Sequence, residues 1–184
     1  MKTNLLRVAL FTPGSDGMWG LPLLLWGLPG VAKSAILRQL ARQSGMPIEV
    51  LSPAARGEGA FGVTPVPDGG RMTYPRPDWT DKFEEAKRGI VFVDEIHGWP
   101  RAQTDSLLTL LEEAYLDTDW GTAQFPWLTV IAATTEREKV PKPLRSRFLL
   151  EPPFVPYDPE DLALLAARFA ATDGVALDWA PCVA

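Results

Sequence analysis

A lysine and a serine, Lys33 and Ser34, close the run Gly27-Leu28-Pro29-Gly30-Val31-Ala32-Lys33-Ser34, with Ala35 behind them. Glycines let a backbone turn sharply, and a following helix start aims its N–H groups at one point, which favours a phosphate chain. In that setting Lys33 reaches the terminal phosphates, and the hydroxyl of Ser34 can ligate a divalent cation. The usual spacing has a second glycine before the lysine, where this chain carries Ala32.

Three further groups have chemistry to offer. Asp94 and Glu95 follow the apolar run Ile90-Val91-Phe92-Val93. Carboxylates at the C-terminal end of a buried parallel strand sit where open α/β sheets bind ligands. Asp94 is placed to hold Mg²⁺ opposite Ser34, and Glu95 to polarise water as a general base. Thr134 and Thr135 end another apolar run, Trp127 to Ala132. A hydroxyl there can orient water or a phosphate, with Thr135 the first candidate. In Pro143-Leu144-Arg145-Ser146-Arg147-Phe148, Arg147 or Arg145 can stabilise charge on a transferring phosphoryl group. Each of these signals is weak by itself, and their order along one chain gives them force.

The elements needed to position these groups can be read around them. Leu21–Trp26 is a short buried strand, and Ala35–Gln43 a helix. Pro47–Leu51, Ile90–Val93 and Trp127–Ala132 are further strands, and Arg101–Tyr115 has leucines at helical spacing. Residues 1–20 read as a lead-in. Residues 52–80 are rich in Gly and Pro, with Asp68-Gly69-Gly70 as the turn of a hairpin-like excursion. Asp158 caps a last helix, Asp158–Ala171, with Pro159 at its first position. Strands alternating with helices imply a parallel sheet covered on both faces.

Composition narrows the class. The chain of 184 residues is 46% hydrophobic and 22% charged, as in a soluble globular domain. A net charge of −5 supplies no basic footprint for nucleic acid, which lowers that prospect without removing it. One cysteine, Cys182, excludes a disulfide framework, and with His97 the only histidine a Cys/His zinc site is excluded as well. No apolar run reaches membrane-spanning length, and a cytoplasmic setting is the default. His97 is read as buttressing the loop after Glu95. The seven tryptophans are scattered and are read as packing residues rather than a stacking platform.

The four groups in this order resemble the AAA+ ATPases. GLPGVAKS is similar to Walker A, IVFVDEIH to Walker B, AATT to sensor 1, and PLRSRF to the arginine-finger segment. Alanine before the lysine resembles the MoxR-like branch, as do DEIHGWPRAQTDSLLTLLEEAYL and YPRPDW. The ATT and PLRSRF stretch equally resembles the RuvB branch-migration motors.

The resemblance implies a P-loop NTPase three-layer sandwich, with an ATP-binding core over residues 1–150 and an incomplete helical lid over 151–184. It implies ATP held by residues 27–35, Mg²⁺ on Ser34 and Asp94, and Glu95 as base. Thr135 would sense the γ-phosphate, and Arg147 or Arg145 would act across a subunit boundary in a ring, commonly a hexamer. The MoxR-like side implies hydrolysis coupled to chaperone-like remodelling of a protein partner. A DNA-acting motor of the RuvB or clamp-loader kind is the alternative, and a binding module with little hydrolysis is a third. Thr135 departs from the asparagine common in MoxR-like proteins. The residues after Leu150 suffice for one lid helix and a tail, as in a fragment or a minimal protein.

Overall fold

The computed structural model describes residues 2–14, 18–53, 60–61, 65–73, 77, 79–118 and 121–172. In chain order the elements of the first half are α1 (Lys2–Phe11), β1 (Leu23–Trp26), α2 (Lys33–Ser44), β2 (Ile48–Leu51), β3 (Val66–Asp68), β4 (Arg71–Thr73) and α3 (Thr80–Ala86). There follow β5 (Gly89–Val93), α4 (Arg101–Glu113), β6 (Tyr115–Thr118), β7 (Gly121–Gln124), β8 (Leu128–Thr134), α5 (Lys142–Arg145) and α6 (Pro159–Thr172).

The central sheet is parallel throughout, in the order β1-β8-β5-β2. Successive residues of a strand face opposite sides, so each strand feeds two cores. Leu24, Val91, Val93, Val130 and Ala132 look to one side, against Phe83 of α3 and Leu107, Leu110 and Leu111 of α4. Leu23, Leu25, Ile90, Phe92, Ile131 and Ala133 look to the other, against Leu6 and Leu10 of α1 and Leu37 and Leu40 of α2. The result is a three-layer α/β fold. Burial on both faces explains why these strands read as unbroken apolar runs.

Beyond β8 the chain returns along the free edge of β1. Leu24 donates its N–H to the carbonyl of Leu150 at 2.9 Å, and Phe154 donates to Trp26 at 2.7 Å. Parallel bridges pair Leu23 with Leu150 and Trp26 with Pro153. The exposed edge is thereby covered.

Two compact units result, Met1–Phe154 and Val155–Ala184. In the second, the N–H of Asp161 donates to Asp158 Oδ1 at 2.8 Å, the capping bond expected at the start of α6. Cys182 lies outside the described residues. No helix among the described residues is long and apolar enough to cross a membrane.

Several local readings change. The lead-in contains helix α1, which buries Leu6, Ala9 and Leu10 at i, i+3 and i+4. Helix α4 stops at Glu113 because Ala114 turns left-handed, with φ 54°, and sends its N–H back to Leu110. A hairpin, β6 against β7, follows at once. Among the described residues the excursion hairpin pairs Val66–Asp68 with Arg71–Thr73. It turns on Gly69 and Gly70, whose φ values of 54° and 83° suit a two-residue turn between twisted strands.

Candidate functional site

The C-terminal ends of β1, β8 and β5 lie side by side, and the chemistry-bearing residues emerge there in that order. From β1 the chain enters the loop 27–32. Gly27 donates its N–H to the carbonyl of Thr134 at 3.2 Å. A Cβ on Gly27 would lie 2.2 Å from the carbonyl oxygen of Phe154, so only glycine fits. Leu28, Pro29 and Gly30 are exposed, and Val31 is buried beneath them.

Ala32 stands at the N-cap of α2 with φ 62° and ψ 28°, a left-handed conformation that side chains disfavour. It offers no side-chain cap, so the first-turn N–H groups of α2 have no partner within the helix. Lys33 is buried to 7% exposure. Its ammonium donates to the carbonyls of Gly27 at 2.8 Å and Leu28 at 3.2 Å, spanning the loop it belongs to. A curved backbone, an open helix start and an ammonium are the features that suit a phosphate.

Asp94 follows β5 and extends its pairing, donating its N–H to Leu51 at 2.7 Å. Its carbonyl accepts from Trp99 Nε1 at 2.9 Å, and its Oδ1 accepts the N–H of Glu95 at 3.2 Å. Burial, and next the charge of Glu95, push its carboxyl above the ordinary value, while Lys33 and Arg38 pull it back. The carboxylate therefore lies within the field of Lys33. A carboxylate and the Ser34 hydroxyl are hard oxygen donors of the kind Mg²⁺ prefers. Among the described residues no cluster of three or more His, Cys, Asp or Glu could hold a metal alone. Such a donor set fits a cation that keeps water and borrows phosphate oxygens.

Glu95 is left-handed too, with φ 46° and ψ 50°. Its Oε2 accepts the hydroxyl of Thr135 at 3.1 Å and the Thr135 N–H at 3.3 Å. His97, on the short 3₁₀ turn Ile96–Gly98, brings Nδ1 to 3.3 Å from the same oxygen and 2.9 Å from Thr134 Oγ1. Its Nε2 lies 3.3 Å from Glu136 Oε1, and the N–H of Glu136 donates to Thr134 Oγ1 at 3.0 Å. The carboxyl of Glu136 is held below its ordinary value chiefly by a hydrogen bond from Lys139.

The sequence located Lys33, Asp94, Glu95 and Thr135, and the fold gathers them at one sheet end. It gave His97 a buttressing place, which these contacts match. Glu136 escaped notice, its only signal being a charge directly behind the two threonines. The arginines are not gathered there. Arg145 lies 3.5 Å from Glu138 and 3.8 Å from Glu151, and Arg147 pairs with Glu112. Neither bonds to Glu95 or the phosphate loop among the described residues. Arg137 was not expected at all; it grips Glu151 at 2.5 and 2.8 Å and stands over the ring of Trp26, which is only partly buried.

Known proteins share this fold. The RuvB subunit of the Holliday junction branch migration complex from Parasynechococcus marenigrum is 28% identical over 168 residues, 87% of this chain and 44% of its own length. That of Crocosphaera subtropica is 31% identical over 157 residues, 80% of this chain and 40% of its own. The chain thus spans less than half the length of these relatives. A solved structure of a Thermotoga maritima RuvB mutant superposes with a TM-score of 0.69 at 24% identity, covering 95% of this chain and 52% of that one. Its likeness confirms the parallel-sheet phosphate-loop fold. The relatives give no support to the MoxR-like branch that Ala32 suggested, nor to the protein-remodelling role attached to it. Residues 23–153 match the model of the ATPase family associated with various cellular activities (AAA), and the chain belongs to that family.

Proposed function

We propose that this chain binds ATP with Mg²⁺ and hydrolyses it as part of a DNA-acting motor of the RuvB kind. The observation that carries the hydrolytic part is the pinning of Glu95 by Thr135 and His97 beside the cradle of Lys33. A base must be held within reach of the proton it removes, and here two neighbours fix its carboxylate. Lys33 would exchange its two loop carbonyls for phosphate oxygens. Ser34 and Asp94 would hold the cation, which supplies charge neutralisation on the phosphates. Leu28 to Ala35 would wrap the phosphate chain, with Gly27 at the hinge.

In this reading residues 1–150 are the ATP-binding core and 151–184 begin a helical lid. A ring of subunits would bring Arg147 or Arg145 to a neighbour's nucleotide. Arg147 is the better placed, its side chain 46% exposed against 24% for Arg145. The DNA-acting part rests on likeness to the RuvB subunits, against an acidic balance.

Steady-state ATP turnover tests the proposal, with and without branched DNA. Glu95→Gln should lower turnover by roughly 10²–10⁴-fold while nucleotide still binds. Lys33→Ala should lose binding. Turnover unaffected by Glu95→Gln would remove the base from Glu95. Turnover indifferent to branched DNA at every concentration would leave an ATPase without the motor.

A further inference from the structure

At the opposite end of the sheet from Glu95, the starts of β5 and β8 frame a recess of about 300 Å³ lined by Trp19, Lys87, Arg88, Pro126 and Trp127. Backbone bonds fix its walls. Trp19 donates its N–H to Pro126 at 2.7 Å, Gly89 donates to Trp127 at 3.3 Å, and Thr129 Oγ1 donates to the carbonyl of Trp19 at 3.3 Å.

Its chemistry is one-sided. The Arg88 guanidinium lies between two rings, 4.8 Å from the centre of Phe11 and 5.0 Å from that of Trp19. The Lys87 ammonium lies 4.4 Å from the centre of the Trp127 ring. Neither cation has a carboxylate partner among the described residues, and no described residue lining the recess is acidic. Trp19 Nε1, Trp127 Nε1 and Arg88 Nε are all buried without an acceptor. Buried N–H groups are normally paired. Two cations seated on aromatic rings, Lys87 and Arg88, leave the recess with positive charge that no described carboxylate answers.

We propose that this recess binds the carboxylate of an acidic side chain presented by a partner protein. A carboxylate brings the negative charge and acceptor oxygens that the Lys87 ammonium and the Arg88 guanidinium lack among the described residues. The indole and proline walls suit the apolar stem behind it, and Trp and Arg dominate the affinity of protein interfaces. A nucleic-acid strand fits less well. It needs cations tracking successive phosphates, and two cations on a chain of net charge −5 make no track. The site is separate from the phosphate loop, so it stands or falls apart from the ATPase reading.

The indole N–H resonances of Trp19 and Trp127, assigned from Trp19→Phe and Trp127→Phe, report directly on the donors. The whole chain is titrated with N-acetylated pentaglutamate, with its pentaglutamine counterpart, with inorganic phosphate and with oligothymidylate. Both resonances should move saturably with pentaglutamate and stay in place with pentaglutamine. Arg88→Gln should weaken that binding at least about tenfold, as loss of a charge-assisted bond implies. Should Arg88→Gln fail to fold, Lys87→Gln, whose ammonium is exposed, gives the same reading. Resonances that ignore pentaglutamate, or move alike in the folded variants, would overturn the proposal. So would tighter binding of phosphate or oligothymidylate.

Discussion

Thr135 gives both its hydroxyl and its backbone N–H to one oxygen of Glu95, at 3.1 and 3.3 Å. The two residues close adjacent strands, β8 and β5, so the register of the sheet sets the position of the carboxylate. Thr135→Val keeps the N–H and loses the hydroxyl, whereas Thr135→Ser keeps both. Val should raise the barrier to ATP turnover by about 1–2 kcal/mol, roughly 5- to 30-fold in rate, with Ser near wild type. Equal turnover in the two variants, measured at saturating ATP, would remove Thr135 from the positioning of Glu95.

His97 touches Glu95, Thr134 and Glu136 at once, and so ties the end of β5 to the end of β8. His97→Ala should lower stability by about 1 kcal/mol and turnover along with it. His97→Gln can keep a bond to Thr134 Oγ1 and should recover most of both. Denaturant unfolding beside turnover reads the two effects, and a fully active His97→Ala protein would make these contacts incidental.

Ala32 holds a conformation that costs a side-chain-bearing residue roughly 1–2 kcal/mol, partly offset by the greater chain entropy of glycine in the unfolded state. Ala32→Gly should therefore raise stability by about 0.5–1 kcal/mol, a Tm rise of a few degrees. Thermal unfolding without nucleotide checks this. An unchanged or lower Tm would mean that the loop does not strain Ala32.

Asp94 carries a sign that can be tested. Its carboxyl is raised in the folded chain by burial and then by Glu95, so the fold holds that proton more tightly than the unfolded chain does. Stability of the nucleotide-free protein should fall as pH rises from the ordinary carboxylate pKa through the raised one. Asp94→Asn should flatten that fall. Mg²⁺ competes with the same proton, so its stabilising effect in the presence of ATP should fade on acidification earlier than an ordinary carboxylate would allow. Thermal unfolding between pH 4 and 7 measures all three, and a slope that survives in Asp94→Asn points to another group.

Much of the site was legible because β1, β5 and β8 are buried on both faces. Leu23–Trp26, Gly89–Val93 and Leu128–Thr134 therefore show as largely apolar runs, and the candidate residues lie in the segments that follow them. The rest lacked such contrast. Helix α1 begins with no acidic residue in its first turn, and its buried residues sit among other apolar ones. The β6–β7 hairpin follows a turn made by Ala114, where a glycine would have announced it. Arg137 and Glu151 meet across the fold, and nothing in their spacing foretells it. The branch reading failed for a different reason. It leaned on Ala32 and on the DEIHGWPRAQTDSLLTLLEEAYL and YPRPDW stretches, while ATT and PLRSRF pointed equally to the RuvB motors that the relatives turn out to be.

Gly27 offers a last test of the fold. Its missing Cβ leaves room for the carbonyl of Phe154, so Gly27→Ala should lower stability by about 1–3 kcal/mol, as overpacking does. An unfolding midpoint equal to wild type would show that the segment can move aside.

That same contact makes the entrance to the phosphate loop and the exit of the first unit one mechanical joint. Trp26 both leads into Gly27 and accepts the N–H of Phe154. Movement at Gly27 is therefore felt first at Phe154, through the Trp26 carbonyl on one side and through the Phe154 carbonyl packed where a Cβ would stand on the other.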